Sequence, residues 1–352
     1  MLLSGIFPPI TTPFYPDGKV YFKKVEANVD RYSKTPVAGI VALGSTGEAI
    51  MLSSQEQRDV LKSARSVTAP EKVLIAGTGA ESAIETLNLT EYAAELGYDV
   101  ALVRTPFYYK KQMQPANMLV FYRMVADRSP LPVLIYSVPS FTGYDMPVEL
   151  IVALADHPNI IGIKESSGNV DKVRELVEKT RHIKRKATVT ETFATVTQRM
   201  MREAERKDAG GELVTIGGGP PAPSSTAVNV IGKLKTRQKE VGFQVLVGSA
   251  QTLEPSLQAG AAGAVLAFAD PAPTACYEIY AAWKEGDHEL AKLKQQRIAK
   301  AAQRIVGELG IPALKYAMDL NGYYGGPARL PLLPITSDVR AEVESLMADI
   351  RN

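Results

Sequence analysis

Asn159-Ile160-Ile161-Gly162-Ile163-Lys164-Glu165-Ser166 is the stretch on which the fold turns. A short, almost continuous apolar run is the pattern of a strand buried on both faces, as in a parallel sheet. This one ends on a lysine. Runs of the same kind recur on either side, at residues 6–10, 39–43, 73–76, 100–103, 133–136, 244–247 and 264–267. Amphipathic stretches separate them. Residues 53–68 open on Ser53 and Glu56, the spacing of a capping box. Residues 81–96 run into Gly97, a helix-stopping glycine. Residues 114–128, 147–156, 169–181 and 271–285 continue the alternation. Eight strands with intervening helices, and no Gly-x-Gly-x-x-Gly helix start after any of them, predict a (β/α)8 (TIM) barrel rather than an open doubly wound sheet.

Two regions break the repeat. Residues 286–352 read as a C-terminal helical appendage to a barrel spanning 1–285, with helical patterns at 289–306, 312–320 and 339–350. Residues 182–240 form an insertion between the sixth helix and the seventh strand, far longer than the two to six residues of an ordinary helix-to-strand loop. It contains a helical stretch at 194–207, then Gly210-Gly211, Gly217-Gly218-Gly219-Pro220-Pro221 and a basic run at 233–239. A helix-to-strand connection lies on the N-terminal face of a barrel. The insertion is therefore expected to be a surface excursion, away from the catalytic face, and not a lid.

Composition narrows the function. The chain has 352 residues, 40 Lys+Arg against 38 Asp+Glu, and a net charge of +2. That balance argues against a nucleic-acid binder. The one cysteine, Cys276, cannot form an internal disulfide. His157, His182 and His288 are scattered and do not build a zinc site with it. No apolar run is long enough to span a bilayer, and the first residues lack the basic and apolar segments of a signal peptide. A cytoplasmic location is expected.

Barrel enzymes carry their chemistry at the C-terminal ends of the strands. Gly44-Ser45-Thr46-Gly47-Glu48 follows the second strand and offers an anion backbone N–H groups and two hydroxyls. Thr105-Pro106-Phe107-Tyr108-Tyr109 follows the fourth, and Tyr136-Ser137-Val138-Pro139 ends the fifth. Lys164 ends the sixth. Desolvation there favours the neutral amine, which can attack a keto carbon to form a Schiff base. Imine chemistry needs a proton shuttle, and a phenol linked to hydroxyls supplies one. The bland alternative is a salt bridge from Lys164 to Glu165 or Glu48.

Gly44-Ser45-Thr46-Gly47-Glu48, Tyr136-x-Val138-Pro139 and Gly162-Ile163-Lys164-Glu165-Ser166, in this order and spacing, resemble the dihydrodipicolinate synthase / N-acetylneuraminate lyase family. The similarity runs over residues 4–181 and 241–335. The resemblance implies a homotetrameric Schiff-base lyase or aldolase, a dimer of dimers, acting on pyruvate-type 2-oxo acids without metal or organic cofactor. It implies that Lys164 forms the imine, Tyr136 shuttles protons and Thr46 is the hydroxyl relay. Tyr108 would complete that relay across a subunit interface. The Ser45 and Thr46 amides would hold the pyruvate carboxylate, and Gly248 and Val265 would line the imine pocket.

Dihydrodipicolinate synthases usually place an arginine two residues after the proline, where this chain has Phe141. A phenyl ring cannot pair with a carboxylate. Tyr136-Ser137-Val138-Pro139-x-x-Thr142-Gly143, Gly310-Ile311-Pro312-x-Leu314-Lys315 and Gly322-Tyr323-Tyr324-Gly325-Gly326-Pro327 are instead similar to the 4-hydroxy-2-oxoglutarate aldolase group. In that group a serine just after the lysine, here Ser166, helps hold the second carboxylate. The expectation is cleavage of 4-hydroxy-2-oxoglutarate to pyruvate and glyoxylate. The alternatives are 4-hydroxy-tetrahydrodipicolinate synthesis, another 2-oxo acid aldolase, and a non-catalytic 2-oxo acid sensor.

Overall fold

The computed structural model describes residues 1–208, 229–231 and 234–350. Eight parallel strands form one sheet in the order β1-β11-β10-β6-β5-β4-β3-β2. They are β1 (Gly5–Phe7), β2 (Gly39–Ala42), β3 (Val73–Gly77), β4 (Val100–Arg104), β5 (Val133–Ser137), β6 (Ile160–Glu165), β10 (Gln244–Val247) and β11 (Gly263–Val265). The Ala38 and Val41 amides donate to the Ile6 and Pro8 carbonyls at 2.9 and 3.0 Å and join the two ends into a barrel. β1 stops at Phe7, short of the expected residue 10, because Pro8 and Pro9 have no N–H to give a ladder.

A helix follows every barrel strand. Phe22–Ser33 and Leu253–Gln258 supply the two that the sequence pattern did not single out. In the first, Val25, Val29 and Tyr32 are buried at helical spacing, so its signal was present. The helix Ser54–Val67 carries the expected capping box between Ser53 and Glu56. Ala83–Leu96 ends on Gly97 in the left-handed region at φ 85°. The C-terminal appendage packs as His288–Ala302, a π-helical turn at Gln303–Glu308, Ile311–Leu320 and Ser337–Met347. No helix among the described residues is long and apolar enough to cross a membrane.

Alternation along the strands divides the core in two. Val41, Ile75, Leu102, Leu134, Tyr136, Ile161, Leu246 and Val265 belong to the cluster inside the barrel. Ile40, Leu74, Val103, Ile135, Ile160, Ile163 and Val245 pack outward against the helices. Strict alternation cannot put both Ile160 and Ile163 outside with Ile161 inside. A register shift between β5 and β6 resolves this: Val133 pairs with Ile160 but Leu134 pairs with Gly162. Gly162 suits the irregularity because a Cβ there would lie 2.1 Å from the Gln244 carbonyl oxygen. The shift turns Lys164 inward, in register with Tyr136 on β5 and Leu246 on β10.

The insertion is more structured than a surface excursion. β7 (Arg185–Thr190), β8 (Asn229–Ile231) and β9 (Leu234–Val241) form an antiparallel sheet, and the expected helix is found at Gln198–Asp208. Its strands were missed because charge alternates with apolar residues only weakly along Lys235–Glu240, which read as a basic run. Gly210-Gly211, Gly217-Gly218-Gly219-Pro220-Pro221 and Lys233 lie outside the described residues.

The insertion docks on the N-terminal ends of the strands, the face opposite Lys164. Arg199 pairs with Asp99 at 3.3 Å, both essentially fully buried. Its guanidinium also donates to the Gly97 and Lys72 carbonyls. Asp99 in turn accepts from the Leu74 and Gln198 amides. Burial pushes the Asp99 carboxyl up and the Arg199 charge pulls it back. Removing one member leaves the other as an uncompensated buried charge. Arg199→Met is expected to lower the urea-unfolding free energy at neutral pH by about 3–5 kcal/mol. A loss within the ordinary surface range of roughly 0.5 kcal/mol would show that this pair does not anchor the insertion.

Candidate active site

The C-terminal ends of the barrel strands and the appendage enclose a cleft of about 670 Å³. Its wall brings together Ser45, Thr46, Tyr136, Phe141, Lys164, Ser166, Gly248 and Val265, which the sequence draws from five separate strand ends. Lys164 is 4% exposed. Its Nζ lies 4.1 Å from the centroid of the Tyr136 ring.

Both glutamates that could have neutralised Lys164 are engaged elsewhere. Glu165 points to the outer side, where it accepts from the Ser167 amide and hydroxyl and lies 3.6 Å from Lys172. Glu48 is fully buried and pairs with Lys315 at 2.5 Å. It also accepts from the Arg329 amide at 2.8 Å. Lys315 completes its shell with the Thr12 and Pro327 carbonyls and lies over the Phe14 ring. Burial pulls the Lys315 ammonium pKa down and Glu48 pushes it back. Among the described residues no carboxylate comes within salt-bridge distance of Lys164. The amine is desolvated and unpaired.

Of the two adjacent hydroxyls, the one within hydrogen-bond distance of Tyr136 is that of Ser45. Ser45 Oγ lies 3.2 Å from the Tyr136 hydroxyl. Thr46 lines the cleft but makes no hydrogen bond to Tyr136. The turn explains the difference. Glu48 sits in the left-handed region at φ 54°, and Thr12 Oγ1 ties the loop through the Gly47 carbonyl at 2.6 Å. In that conformation the Ser45 side chain, not that of Thr46, faces β5. Tyr108 does not reach Tyr136 within the protomer. It is 72% exposed, edge-on to Tyr109, and its amide is held by the Glu81 carboxylate.

Ser166 lines the cleft, and its Oγ is buried without a hydrogen-bond partner. Gly248 makes room for it: a Cβ there would lie 2.0 Å from that oxygen. Phe141 stands at the rim, 67% exposed. The distal wall comes from residues the sequence reading did not select. Ser249, Gln251 and Thr252 follow β10, and Gln303 comes from the appendage. Ser249 donates to Gln251 at 2.7 Å, and Gln251 donates to Gln303 at 3.1 Å. Gln303 could not be assigned to the site from sequence, because it is 139 positions from Lys164 and only packing of the appendage brings it there. Among the described residues of the lining, Lys164 is the only cationic one and Glu308 the only anionic one. No cluster of metal-ligating side chains occurs among the described residues.

Asp270, just after β11, is fully buried, and neither carboxyl oxygen has a hydrogen-bond partner. Burial raises its pKa well above the usual carboxylate range, opposed only by the charge of Lys164.

A barrel with this set of side chains at its catalytic end is the frame of a lyase of the aldolase type. The sequence model of the dihydrodipicolinate synthetase family matches residues 2–185 and 225–350, a match interrupted by the middle of the insertion. The chain belongs to that family and is an enzyme of the lyase class. It is 30% identical to the 4-hydroxy-tetrahydrodipicolinate synthase of Methanosarcina barkeri, over 95% of this chain and 94% of the relative. It is 27% identical to the enzyme of that name from Methanothrix thermoacetophila, over 98% and 96%. Among solved structures, the dihydrodipicolinate synthase of Acinetobacter baumannii complexed with pyruvate superposes with a TM-score of 0.77 at 27% identity, covering 99% of both chains. A prophage protein of E. coli K12 from the dihydrodipicolinic acid synthase family, also in complex with pyruvate, gives 0.76 at 26%, again covering 99% of both chains.

Two measurements check this geometry. Ser45→Ala is expected to slow turnover by about 10²-fold or more, the range for loss of positioned proton transfer, and Thr46→Ala by less. The reverse order would return the relay to Thr46. Asp270 supplies a pH test. A carboxyl whose pKa is raised by folding contributes stability that is lost as pH rises, because the unfolded chain releases the proton and the folded chain holds it. The melting temperature of Asp270→Asn relative to the unmutated protein should therefore climb between about pH 4 and pH 8, above the ordinary Asp pKa of about 3.9. A flat difference would mean that Asp270 is ionised in the fold.

Proposed function

We propose that the protein is a Schiff-base aldolase acting on pyruvate-type 2-oxo acids through Lys164. The observation that carries this reading is a buried lysine amine without a carboxylate partner, beside a tyrosine hydrogen-bonded to Ser45. Lys164 attacks C2 of the substrate, and the carbinolamine loses water to give an iminium ion, which acts as an electron sink. Tyr136, oriented by Ser45, takes the proton from the C4 hydroxyl. The C3–C4 bond then breaks, an aldehyde leaves, and the enamine of pyruvate remains. Protonation at C3 and hydrolysis release pyruvate. The backbone amides of Ser45 and Thr46, two residues that line the cleft with Lys164, hold the pyruvyl carboxylate in this reading.

For the leaving aldehyde the reading is glyoxylate, from 4-hydroxy-2-oxoglutarate. The unpartnered Ser166 hydroxyl supports it, being free to donate to a second carboxylate. The names of the relatives favour a second reading, condensation of pyruvate with aspartate semialdehyde. Phe141 and a lining with no cation beyond Lys164 count against a guanidinium-held acceptor. The exposure of Tyr108 supports assembly as a tetramer in which a neighbouring protomer completes the relay.

Borohydride reduction in the presence of pyruvate should add the reduced pyruvyl mass to the Lys164 peptide, and Lys164→Ala should abolish both adduct and turnover. Absence of an adduct would sink the Schiff-base reading. An adduct without turnover of any 4-hydroxy-2-oxo acid or aldehyde would instead support the sensor. Product analysis with 4-hydroxy-2-oxoglutarate, with aspartate semialdehyde plus pyruvate, and with an uncharged hydroxyaldehyde plus pyruvate decides the partner.

A further inference from the structure

The distal wall of the cleft carries a chain of polar side chains that the reaction above leaves unused. It starts at Ser249 after β10, passes through Gln251 and ends on the appendage at Gln303 and Glu308. Ser249 Oγ donates to Gln251 Oε1 at 2.7 Å, Gln251 Nε2 to Gln303 Oε1 at 3.1 Å, and Gln303 Nε2 to Glu308 Oε1 at 3.2 Å. The last contact depends on backbone geometry. Gln303–Glu308 is a π-helical turn, whose i→i+5 pitch brings residues 303 and 308 to one side. Gly307, in the same turn, leaves the space. A Cβ there would lie 3.3 Å from Gln251 Nε2 and 3.4 Å from both polar atoms of the Gln303 amide.

The direction of this chain is set at one end. Glu308 also accepts from Arg304 at 2.9 Å, and Arg304 and the Gln303 amide hold its carboxyl below the usual carboxylate range. It is an ionised acceptor with no proton to give. Gln303 must therefore turn its NH2 to Glu308 and its carbonyl to Gln251. Gln251 must turn its NH2 to Gln303 and its carbonyl to Ser249. Ser249 then spends its single proton on Gln251. What remains for a substrate is the lone pairs of Ser249 and one further N–H on each glutamine amide. A carboxylate only accepts and an ammonium only donates, whereas a hydroxyl does both. We propose that Glu308, acting through Gln303 and Gln251, sets the distal wall to select a substrate hydroxyl beyond C4. The enzyme then also cleaves 4-hydroxy-2-oxo acids whose far end is hydroxylated and carries no second carboxylate. The glyoxylate reading uses Ser166 and leaves this wall untouched. The step is the one described above with a different aldehyde: the C3–C4 bond breaks, its electron pair enters the iminium, and the C4 hydroxyl proton passes to Tyr136. Glu308 is a positioning residue. Polar groups built to meet a hydroxyl discriminate against an analogue without one, because they are left unpaired.

This rests on imine formation at Lys164, and the experiment separates the two. The full-length protein is assayed for condensation of pyruvate with three aldehydes, with borohydride trapping of pyruvate in parallel. Glyceraldehyde carries the hydroxyls, propionaldehyde lacks them, and succinic semialdehyde ends in a carboxylate. kcat/KM for glyceraldehyde should exceed the other two by about tenfold or more, the scale of one or two hydrogen bonds. In Glu308→Gln the new amide can meet Gln303 with either end. The chain can then reverse and leave Ser249 its proton to donate to a carboxylate. The variant should move the kcat/KM ratio about tenfold from glyceraldehyde toward succinic semialdehyde, mainly through KM. A residue that only held the turn in place would lower both values alike. Equal values for the three aldehydes, or an unchanged ratio in Glu308→Gln, with trapping intact, overturn the selectivity and leave the imine standing. Absence of trapping in the unmutated protein overturns both. If Glu308→Gln does not fold, Gln303→Met, which cuts the chain, decides. It should abolish the preference for glyceraldehyde, and persistence of that preference overturns the proposal.

Discussion

The chemistry of this barrel depends on a break in the alternation of one strand. Had β6 kept strict parity from Ile160 onward, Lys164 would point at the helices and Ile163 into the cleft. The shift opposite Val133 and Leu134 reverses that assignment. The Gln244 backbone approaches Gly162 so closely that no side chain fits between them. The glycine is therefore a requirement of the site as much as of the sheet. It also sends Glu165 outward to Ser167 and Lys172, which removes the nearest carboxylate from the amine.

The second carboxylate is removed by a long-range contact. Glu48 belongs to the loop that carries Ser45 and Thr46, yet it spends its charge on Lys315 from the appendage. A buried ion pair of this kind contributes little net stability against an apolar substitute, but it is unforgiving of misplacement, since either partner alone is strongly destabilising. It therefore fixes that loop at one height above the barrel. The appendage holds that loop, roofs the cleft with Gln303 and Val306, and belongs to the site despite its distance in sequence.

The two ends of the barrel are built on one logic. At the N-terminal face, Asp99 and Arg199 pin the insertion as Glu48 and Lys315 pin the loop at the other. In both places an acidic residue near a strand end meets a basic residue from a segment outside the barrel repeat. Asp270 is the exception, a buried acid without a base.

Strand positions, the barrel, Lys164, Tyr136 and the glycine-flanked loop were legible in the chain because local signals carry them: apolar runs of strand length, punctuating glycines and prolines, and polar residues at run ends. The missed strands of the insertion lack such a signal, since their partners lie up to 56 residues away and their residues are mostly charged or polar. The choice between Ser45 and Thr46 was not legible either. Adjacent hydroxyls are equivalent until a turn aims one of them, and that turn is set by Glu48 reaching Lys315 across 267 positions. The sequence by itself determined which residue types stand at the ends of the barrel strands, because short-range periodicity dictates where each strand runs. Only the tertiary structure decided which of them face one another, which acids are neutralised and which lysine is left free. Those outcomes depend on desolvation and on contacts between segments that chain order does not bring together.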